Sequence, residues 1–329
     1  MQSMVVAPLL KDRFPQHEIH FLTKIQFVEM VDASPYVDKV WALGGKQGKG
    51  LGALWRLLQN IPFEDVEYFY DAHNNIRTWL IRLYLKWRLR QHKYIVAIRS
   101  KDRWKRFLLF TFRINLFPRP YRGMKSYVAP LIEWGIATET RSHAFNFAPQ
   151  TQKNVSELLA ENRMEERKFV ALAPSAAWKM KRWPVVYWQR LIADLPQTRF
   201  IILAGPEDSF CQELVAMAPH RVVSFQGKFS LLESAYVLTL SQGLISADTG
   251  LLHFADLLGV RAWALIGPTA FGFPSHKNVT TLEVPLSCRP CSKDGRGKCS
   301  QSVYQKCMIE ITPAMVESEI KKLTEIPGL

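Results

Sequence analysis

The sequence predicts an α/β protein made of two doubly wound, Rossmann-like domains of parallel sheet. Three observations predict it: a length of 329 residues, a repeated alternation of short apolar runs with amphipathic stretches, and a polar interruption at 146–156 after which the alternation restarts. We therefore predict an N-terminal domain at 1–155 and a C-terminal domain at 156–312. A closing segment at 313–329 has a helical pattern and could pack back on the N-terminal domain.

Short apolar runs in the first half have the length of buried strands, and amphipathic stretches separate them. The predicted strands are Ile19–Leu22, Val37–Leu43 (ending at Gly44-Gly45), Tyr68–Tyr70 and Tyr94–Ile98. The predicted helices are Met4–Phe14, Phe27–Val31 and the stretch after Asp71-Ala-His-Asn-Asn75, where Ile76, Trp79, Leu80, Leu83 and Trp87 share one face. This order is typical of βαβ units.

The second half repeats the pattern more clearly, which predicts a doubly wound parallel sheet. The predicted strands are Phe169–Ala173, Phe200–Leu203, Val222–Ser224, Gly243–Ser246 and Ala262–Ile266. The predicted helices are Val185–Leu195, Asp208–Met217, Leu231–Leu240, Gly250–Leu258 and Pro313–Leu323.

The charge of the chain is strongly positive and unevenly distributed. Lys and Arg number 43 against 29 acidic residues, and fifteen of the basic residues lie between Arg77 and Lys125 beside a single acid, Asp102. Such a block favours an anionic partner: nucleic acid, a phosphorylated glycolipid or the anionic inner leaflet of a membrane. A basic, solvated face without a partner is the alternative.

The expected location is the cytoplasm. The longest apolar run, Phe107–Phe112, is far shorter than the roughly 20 residues that cross a bilayer. Lys11-Asp12-Arg13 follows only a few apolar residues, which does not resemble a signal peptide. Five cysteines in a chain of this length do not indicate a secreted disulfide scaffold.

The strongest local motif joins a strand to a helix at Gly243–Gly259. A buried strand is expected to end at Ala247, and a helix begins at Asp248-Thr249-Gly250. The unpaired N–H groups of a helix that starts at the carboxyl end of a parallel strand point toward a ligand crevice and favour an anion. Gly250 lets a diphosphate approach the backbone, and His253 lies one turn further on. Alternatively, Asp248 or Thr249 only caps the helix and His253 is a core residue.

A second motif, Ala173–Pro184, also follows a strand directly. Lys179, Lys181 and Arg182 lie between the strand end and a helix that begins at Pro184, a position that proline favours. A lysine in this position can neutralise the charge of a departing diphosphate.

Together these motifs resemble glycosyltransferase family 9, the ADP-heptose:lipopolysaccharide heptosyltransferases. The matching pieces run through nearly the whole chain in order: Leu9–Pro15, Ser34–Asp38, Asp71–Asn75, Lys181–Pro184, Gly227–Leu231, Asp248–His253 and Ala264–Thr269. The resemblance implies a fold of the GT-B type, with the donor bound mainly by the second domain and the acceptor by the first. It also implies inverting transfer of heptose from ADP-heptose to a lipopolysaccharide inner-core acceptor, without a metal.

The resemblance assigns roles to particular residues. Lys181, Thr249 and Gly250 would hold the phosphates of the ADP-sugar, with Asp248 and His253 beside them, and Lys181 would stabilise the leaving group. Glu207 and Phe229 fall where the family contacts the nucleoside. The basic residues Arg77, Arg103, Lys105, Arg106 and Arg113 would face the phosphorylated glycolipid acceptor and the inner-leaflet surface, which gives a peripheral position on the cytoplasmic membrane. Nucleic acid is not an expected partner.

The chain departs from the family pattern at its first residues. Members begin with a strand and a Gly-Asp turn, whose Asp is the general base, whereas Met1 falls where the following helix begins. The first strand and the base are thus expected to be missing. No catalytic base is therefore assigned, and the transferase activity of this chain is in question. A start codon assigned too late is the favoured explanation. A true truncation, leaving a weakened or silent homologue that binds nucleotide sugar, is the other.

Four cysteines near the end have the spacing C-x2-C-x7-C-x7-C. Cys288, Cys291, Cys299 and Cys307 could bind zinc, remain reduced structural thiols or pair on oxidation. Cys211 is expected to be a buried thiol.

Two rival functions remain open at this point. One is a nucleotide-sugar epimerase of the same two-domain plan. The other is a nucleic-acid-binding protein that uses the basic block with Trp79, Trp87 and Trp104 as stacking platforms, although this leaves the Asp248–His253 motif unexplained.

Overall fold

The computed structural model describes residues 1–44, 50–137, 139 and 141–324, so Gly45 of the predicted Gly44-Gly45 turn lies outside the described residues. The chain divides into two compact units. The N-terminal unit is Gln2–Trp104 with Met124–Asn146, and the C-terminal unit is Met1, Lys105–Gly123 and Phe147–Leu329. The domain boundaries expected from the sequence, at 155 and 312, stay a prediction.

The N-terminal unit alternates strands and helices as predicted. Its strands are β1 His20–Lys24, β2 Lys39–Leu43, β3 Tyr68–Asp71 and β4 Ile95–Ile98. Its helices are α1 Val6–Arg13, α2 Val28–Asp32, α3 Leu51–Gln59, α4 Ile76–Arg88 and α6 Lys125–Val128, and a 3-10 helix at Ala129–Trp134 follows α6. In the described residues the strands form two separate two-stranded parallel sheets, β1 with β2 and β3 with β4.

Helix α4 turns an unexpected face toward the core. Asn75 caps it by accepting from the N–H groups of Arg77 and Thr78, and Thr78 completes a capping box. The buried residues are Ile81 and Leu85. Of the apolar face predicted from the sequence, all but Leu80 are exposed: Ile76, Trp79, Leu83 and Trp87. The aromatic and aliphatic stripe of α4 is therefore a surface feature.

Helix α5, Arg103–Phe112, joins the two units in sequence. From Lys105 onward its residues belong to the C-terminal unit, where Leu109 packs with Phe117 and Ala270 in a small apolar cluster. The sequence analysis did not predict this helix, because its apolar residues Phe107–Phe112 are nearly continuous and have no clear helical period.

The C-terminal unit contains, among its described residues, a six-stranded parallel sheet in the order β10-β9-β8-β5-β6-β7. The strands are β5 Phe169–Ala173, β6 Arg199–Ile202, β7 Val222–Ser224, β8 Gly243–Ala247, β9 Ala262–Leu265 and β10 Val279–Leu282. The helices are α7 Pro149–Glu161, α8 Val185–Asp194, α9 Cys211–Met217, α10 Leu231–Leu240, α11 Gly250–Leu258, α12 Lys306–Ile309 and α13 Pro313–Thr324. The sheet confirms the predicted α/β class.

Burial explains why most strands of the C-terminal unit could be predicted from the sequence. All residues of β5, β8 and β9 are buried, as expected for parallel strands covered on both faces. One core extends from β5 and β8 to α8 and α13, where Val316 and Ile320 pack with Trp188 and Leu191. None of the described helices is both long and apolar enough to span a membrane.

Candidate functional site

Four loops of the C-terminal unit follow four adjacent strands. The strand order places β8, β5, β6 and β7 side by side, and all of them are parallel. The loops after these strands therefore lie at the same edge of the sheet. The chain proceeds from β5 outward through β6 and β7, and then from β8 outward in the other direction, so the topology reverses between β5 and β8. In open parallel sheets this reversal marks the ligand crevice.

The loop after β8 leads at once into α11. Thr249 is the N-cap: its hydroxyl oxygen accepts from the N–H of Leu252 at 3.3 Å and lies 2.8 Å from the hydroxyl of Ser246. Within the described residues, no acceptor is found for the N–H groups of Gly250 and Leu251. Thr249 therefore does cap the helix, as one of the two interpretations of the sequence expected. The amides of Gly250 and Leu251 stay available, and the positive end of the helix dipole points outward beside them.

Asp248, Lys181 and His253 form a compact cluster at the topological reversal. The Lys181 ammonium donates to the main-chain carbonyl of Asp248 at 2.5 Å and lies 3.6 Å from its carboxylate. His253 Nε2 lies 3.3 Å from the other carboxylate oxygen. Burial acts to raise the pKa of Asp248, but the hydrogen bond and charge of His253, the charge of Lys181 and the Thr269 hydroxyl lower it to about 2. The carboxylate of Asp248 is ionised, and it holds the ammonium of Lys181 and the imidazole of His253 in place.

Close packing by glycine fixes this cluster from two sides. A Cβ added at Gly272 would overlap the Asp248 carboxylate. Gly295 has φ +96°, and a Cβ there would lie 2.6 Å from Cγ of Lys181 and 3.1 Å from Cβ of Trp178. The loop after β9 and the cysteine-bearing loop therefore confine Asp248 and Lys181. No sequence pattern indicates these contacts, because they join segments far apart in the chain.

Glu207 and Phe229 lie on the loops after β6 and β7. Glu207 follows Pro206, whose carbonyl accepts from the Gln226 amide at 2.7 Å. Phe229 packs on Phe225 with ring centroids 4.9 Å apart. These two loops contact each other, since a Cβ at Gly227 would lie 3.0 Å from Pro206. Both predicted residues thus lie at the same sheet edge as the Lys181–Asp248 cluster, but further along it.

Asp208, which the sequence analysis passed over, ties the loops after β5 and β6 together. Its carboxylate accepts from the Ser175 hydroxyl at 2.5 Å and from the Gly205 N–H at 3.0 Å. Arg182 lies 3.9 Å from the same carboxylate. The Gly205-Pro-Glu turn could have indicated it, because Asp side chains in turns commonly accept from nearby main-chain amides.

The predicted basic patch divides between the two units. Arg77 and Arg103 are exposed in the N-terminal unit. Lys105, Arg106 and Arg113 belong to the C-terminal unit. There the Arg106 guanidinium lies 4.4 Å from the ring centroid of Phe271, and Arg113 donates to the carbonyl of Cys291 at 3.5 Å. These two arginines therefore approach the loop after β9 and the cysteine-bearing loop.

The cysteines do not form a metal site in the structure. No group of three or more His, Cys, Asp or Glu side chains in the described part of the chain could hold a metal ion. Cys288, Cys291, Cys299 and Cys307 are all free thiols. Burial raises the pKa of Cys291 and raises that of Cys307 to about 11, which keeps these thiols protonated near neutral pH. The zinc alternative is therefore not supported. Cys211 is buried as expected, and burial raises its pKa to about 12.

In the N-terminal unit, Asp71 stabilises a turn. It is fully buried, accepts from the N–H groups of His73 at 3.1 Å and Asn74 at 2.6 Å, and lies 3.0 Å from the Arg82 guanidinium. Burial lowers the pKa of the neighbouring His73. All of the carboxylate's contacts are structural.

Comparison with known proteins gives a consistent result. The family model of glycosyltransferase family 9 (heptosyltransferase) matches residues 124–300. A lipooligosaccharide heptosyltransferase 2 from Campylobacter jejuni is 26% identical over 171 residues, which are 48% of this chain and 52% of the relative. The chain thus spans about half the length of the curated relatives it matches.

Solved structures extend the similarity to the whole fold. A glycosyl transferase family 9 protein from Veillonella parvula matches with a TM-score of 0.74 at 18% identity, covering 98% of this chain and 92% of the other. The ADP-heptose LPS heptosyltransferase II of E. coli matches with a TM-score of 0.69 at 16% identity, covering 98% and 94%. These matches confirm the predicted GT-B fold class.

Proposed function

The chain belongs to glycosyltransferase family 9, and from that premise we propose that it transfers a heptose from ADP-heptose to the inner core of a lipopolysaccharide precursor. The transfer inverts the anomeric centre by direct displacement and uses no metal ion. One observation carries the proposal: two unpaired helix amides, the ammonium of Lys181 and the imidazole of His253 meet beside one buried carboxylate at the topological reversal of the sheet.

The cluster has the chemistry that a departing diphosphate requires. The amides of Gly250 and Leu251 and the dipole of α11 favour an anion at this position. An ammonium has three hydrogens, and Asp248 occupies at most two of those of Lys181 with its carbonyl and carboxylate oxygens. The remaining hydrogen can bind a phosphate oxygen. The negative charge that develops when ADP leaves is then stabilised by groups already in position.

Asp248 acts on the ligand through its neighbours. Its carboxylate is ionised at any pH above roughly 3, because its pKa is lowered to about 2. It therefore stabilises the positive charge of Lys181 and orients His253 Nε2 before the donor arrives. The arrangement also limits how closely a diphosphate can approach Asp248 itself, since like charges repel.

The nucleoside end of the donor is proposed to lie toward β6 and β7. Phe229, with Phe225 behind it, offers an aromatic surface, and Glu207 offers an exposed carboxylate on the adjacent loop. A carboxylate accepts hydrogen bonds from ribose hydroxyls in many nucleotide sites of doubly wound sheets. The resemblance to the family implies nucleoside contacts at the positions of these two residues.

The acceptor is proposed to be a phosphorylated glycolipid held at the inner leaflet of the cytoplasmic membrane. In the N-terminal unit, α3 and α4 enclose an open groove of about 580 Å³, lined by Leu51, Gly52, Leu54, Trp55, Leu58, Leu80, Leu83, Tyr84 and Trp87. Trp55 and Trp87 expose 50% and 63% of their surface, and Arg77 and Lys86 are exposed on α4. Aromatic and aliphatic side chains beside cations suit the interface of an anionic bilayer.

Calorimetric titration with ADP, UDP and GDP tests the donor part of the proposal. We expect ADP to bind at least tenfold more tightly than the other two nucleotides. His253→Ala should weaken ADP binding by roughly tenfold or more, because a charge-assisted hydrogen bond is lost. The matched control is Lys168→Ala, which removes an exposed lysine paired with Glu165 and should leave ADP binding unchanged. Equal binding of all three nucleotides, or salt-sensitive DNA binding without any ADP binding, would contradict the proposal.

A further inference from the structure

The loop after β5 exposes an aromatic side chain directly beside Lys181. Trp178 keeps 42% of its surface exposed, whereas the side chain of Lys181 is largely covered. Both side chains pack on the same glycine of the cysteine-bearing loop. The Cβ that Gly295 lacks would lie 3.1 Å from Cβ of Trp178 and 2.6 Å from Cγ of Lys181. Trp178 therefore borders the position proposed for the departing diphosphate.

Arg296 lies over the indole ring of Trp178. The central carbon of its guanidinium is 5.2 Å from the ring centroid, which is within the range of a cation–π contact. Asp294 orients this guanidinium, because Nε and Nη2 of Arg296 donate to the same carboxylate oxygen, at 3.0 and 2.5 Å. These bonds use two of the five N–H groups of the guanidinium. The hydrogens of Nη1 therefore stay available to a ligand within the described part of the chain.

A second aromatic ring and a second cation lie on the same two segments. Tyr304 exposes 45% of its surface, and the ammonium of Lys179 lies 5.8 Å from its ring centroid. Gln305 ties the segments together, since its side-chain amide donates to the main-chain carbonyls of Lys179 and Arg182. The aromatic–basic patch of the C-terminal unit consists of Trp178, Lys179, Arg296 and Tyr304.

The turn that carries Arg296 is fixed by its own hydrogen bonds. The buried hydroxyl of Ser292 accepts from the N–H of Gly295 at 2.9 Å and donates to the carbonyl of Arg296 at 2.7 Å. Gly295 and Gly297, on either side of Arg296, have φ of +96° and +109°, a conformation that glycine adopts readily. The guanidinium is thus positioned before a ligand arrives, which lowers the ordering cost of binding.

The charge of the patch favours an anionic ligand. The segments 177–182 and 293–298, which carry the indole and the guanidinium, contain six Lys or Arg and one acid, Asp294. An aromatic ring gives a ligand an apolar surface, and nearby cations bind an anionic substituent. A sugar that carries a phosphate or a carboxylate has both features, because one face of its ring presents C–H groups.

We propose that the aromatic–basic patch is a subsite for an anionic sugar of the acceptor, whose ring lies on Trp178 and whose phosphate or carboxylate lies beside Arg296 and Lys179. The inference rests on the proposed function, because the acceptor hydroxyl must reach the sugar that the diphosphate leaves. A sugar-binding surface next to Lys181 has the position that this reaction requires. The proposal adds acceptor recognition to the unit that binds the donor.

Nuclear magnetic resonance of the indole N–H groups tests the inference on the whole chain. The Trp178 signal is identified as the one missing from Trp178→Leu. Glucose 6-phosphate, glucuronate and neutral glucose, which share a pyranose ring, are titrated separately. At least one of the anionic sugars should shift the Trp178 signal and bind roughly tenfold or more tightly than glucose, because a charge-assisted hydrogen bond is added. The tighter of the two identifies the anionic group.

Arg296→Gln should remove the advantage of the anionic sugars over glucose. In transfer assays it should raise the KM for the acceptor by roughly tenfold and leave kcat similar, because it weakens binding before the reaction. Arg190→Gln is the matched control, since Arg190 on α8 is also exposed and paired with an aspartate, Asp194, at 2.8 Å. It should change neither quantity.

Equal shifts of the Trp178 signal by all three sugars would overturn the inference. Inorganic phosphate that binds as tightly as glucose 6-phosphate would also overturn it, since the sugar ring would then contribute nothing. Tighter binding of an oligothymidylate than of either anionic sugar would assign the patch to single-stranded nucleic acid instead. Calorimetric binding of ADP separates these failures from a failure of the proposed function, because it persists when only the patch is misassigned.

Discussion

The ammonium of Lys181 lies 2.5 Å from the main-chain carbonyl of Asp248 and 3.6 Å from the carboxylate of the same residue. The two residues are 67 positions apart in the chain, and they meet because β5 and β8 are neighbours in the sheet. The pairing brings the ammonium of Lys181 to the N-terminus of α11, the helix that begins at Gly250.

Replacement of Lys181 should affect turnover more than folding. Lys181→Ala removes a cation from the position proposed for the departing diphosphate, so we expect kcat for heptose transfer to fall by roughly 10²–10³. The melting temperature should fall by only about 3 °C, as expected for a loss near 1 kcal/mol. Transfer assays and thermal unfolding of Lys181→Ala, with Lys168→Ala as control, measure both. Parallel losses of activity and stability would mean that Lys181 is a structural residue.

Asp248 should give the protein an acid-sensitive contribution to stability. Its folded-state pKa of about 2 lies below its ordinary value of 3.8. The contribution is therefore fully present above pH 4 and is lost as the pH falls toward 2. We expect Asp248→Asn to lower the free energy of unfolding by about 2 kcal/mol at pH 6 and by roughly half as much near pH 3. Urea unfolding of both proteins across this range measures the difference. A loss of unfolding free energy that does not vary with pH would contradict the lowered pKa of Asp248.

Gly272 should tolerate no side chain. Because a Cβ there would overlap the Asp248 carboxylate, Gly272→Ala should displace Asp248, with a loss of about 1–3 kcal/mol in stability and weaker ADP binding. The matched control is Gly52→Ala in α3, where the nearest atom is the end of the Arg56 side chain at 3.8 Å. That change should be neutral or stabilising by roughly 0.5–1 kcal/mol. Unchanged ADP affinity in Gly272→Ala would show that the position of Asp248 is not important.

The exposed tryptophans of the α3–α4 groove should control membrane binding. A Trp55→Ser/Trp87→Ser double variant should bind vesicles containing phosphatidylglycerol roughly tenfold more weakly, because aromatic side chains no longer enter the interface. Its melting temperature should fall only slightly, since half or more of each side chain is exposed. Val186→Ser, a similarly exposed change on α8, serves as the control. Vesicle cosedimentation at low and high salt measures the effect.

Two other outcomes of the vesicle assay would contradict the proposed membrane contact. Binding to neutral and anionic vesicles alike would remove the role proposed for Arg77 and Lys86. No vesicle binding, together with self-association that the double variant abolishes, would identify the groove as an interface between two copies of the chain.

The sequence predicted the second unit better than the first. Strands β5 and β7 and helices α10 and α11 have the predicted bounds, because fully buried strands and capped helices leave strong local patterns. Helix α3 and strand β10 were not predicted. Strand β10, Val279–Leu282, lies at an edge of the sheet and buries only its first and last residues, which gives a weak sequence signal.

The candidate site could be predicted in part for the same reason. The motif at Asp248–His253 and the basic turn at Lys179–Arg182 are local, so their positions at strand ends follow from the sequence. The confinement of Lys181 by Gly295 and of Asp248 by Gly272 does not, because each contact joins loops that are separated by many residues.

The α/β class, the family and the residues that surround the helix at Gly250 could be predicted from the amino-acid sequence alone, since periodicity, caps and short motifs are properties of neighbouring residues. Three features became apparent only in the folded chain: Lys181 bonds to Asp248, the apolar stripe of α4 faces outward, and the described N-terminal strands pair as two separate sheets. One cause accounts for all three. Strand order and side-chain packing depend on contacts between distant segments, and local patterns carry no record of which segments will meet.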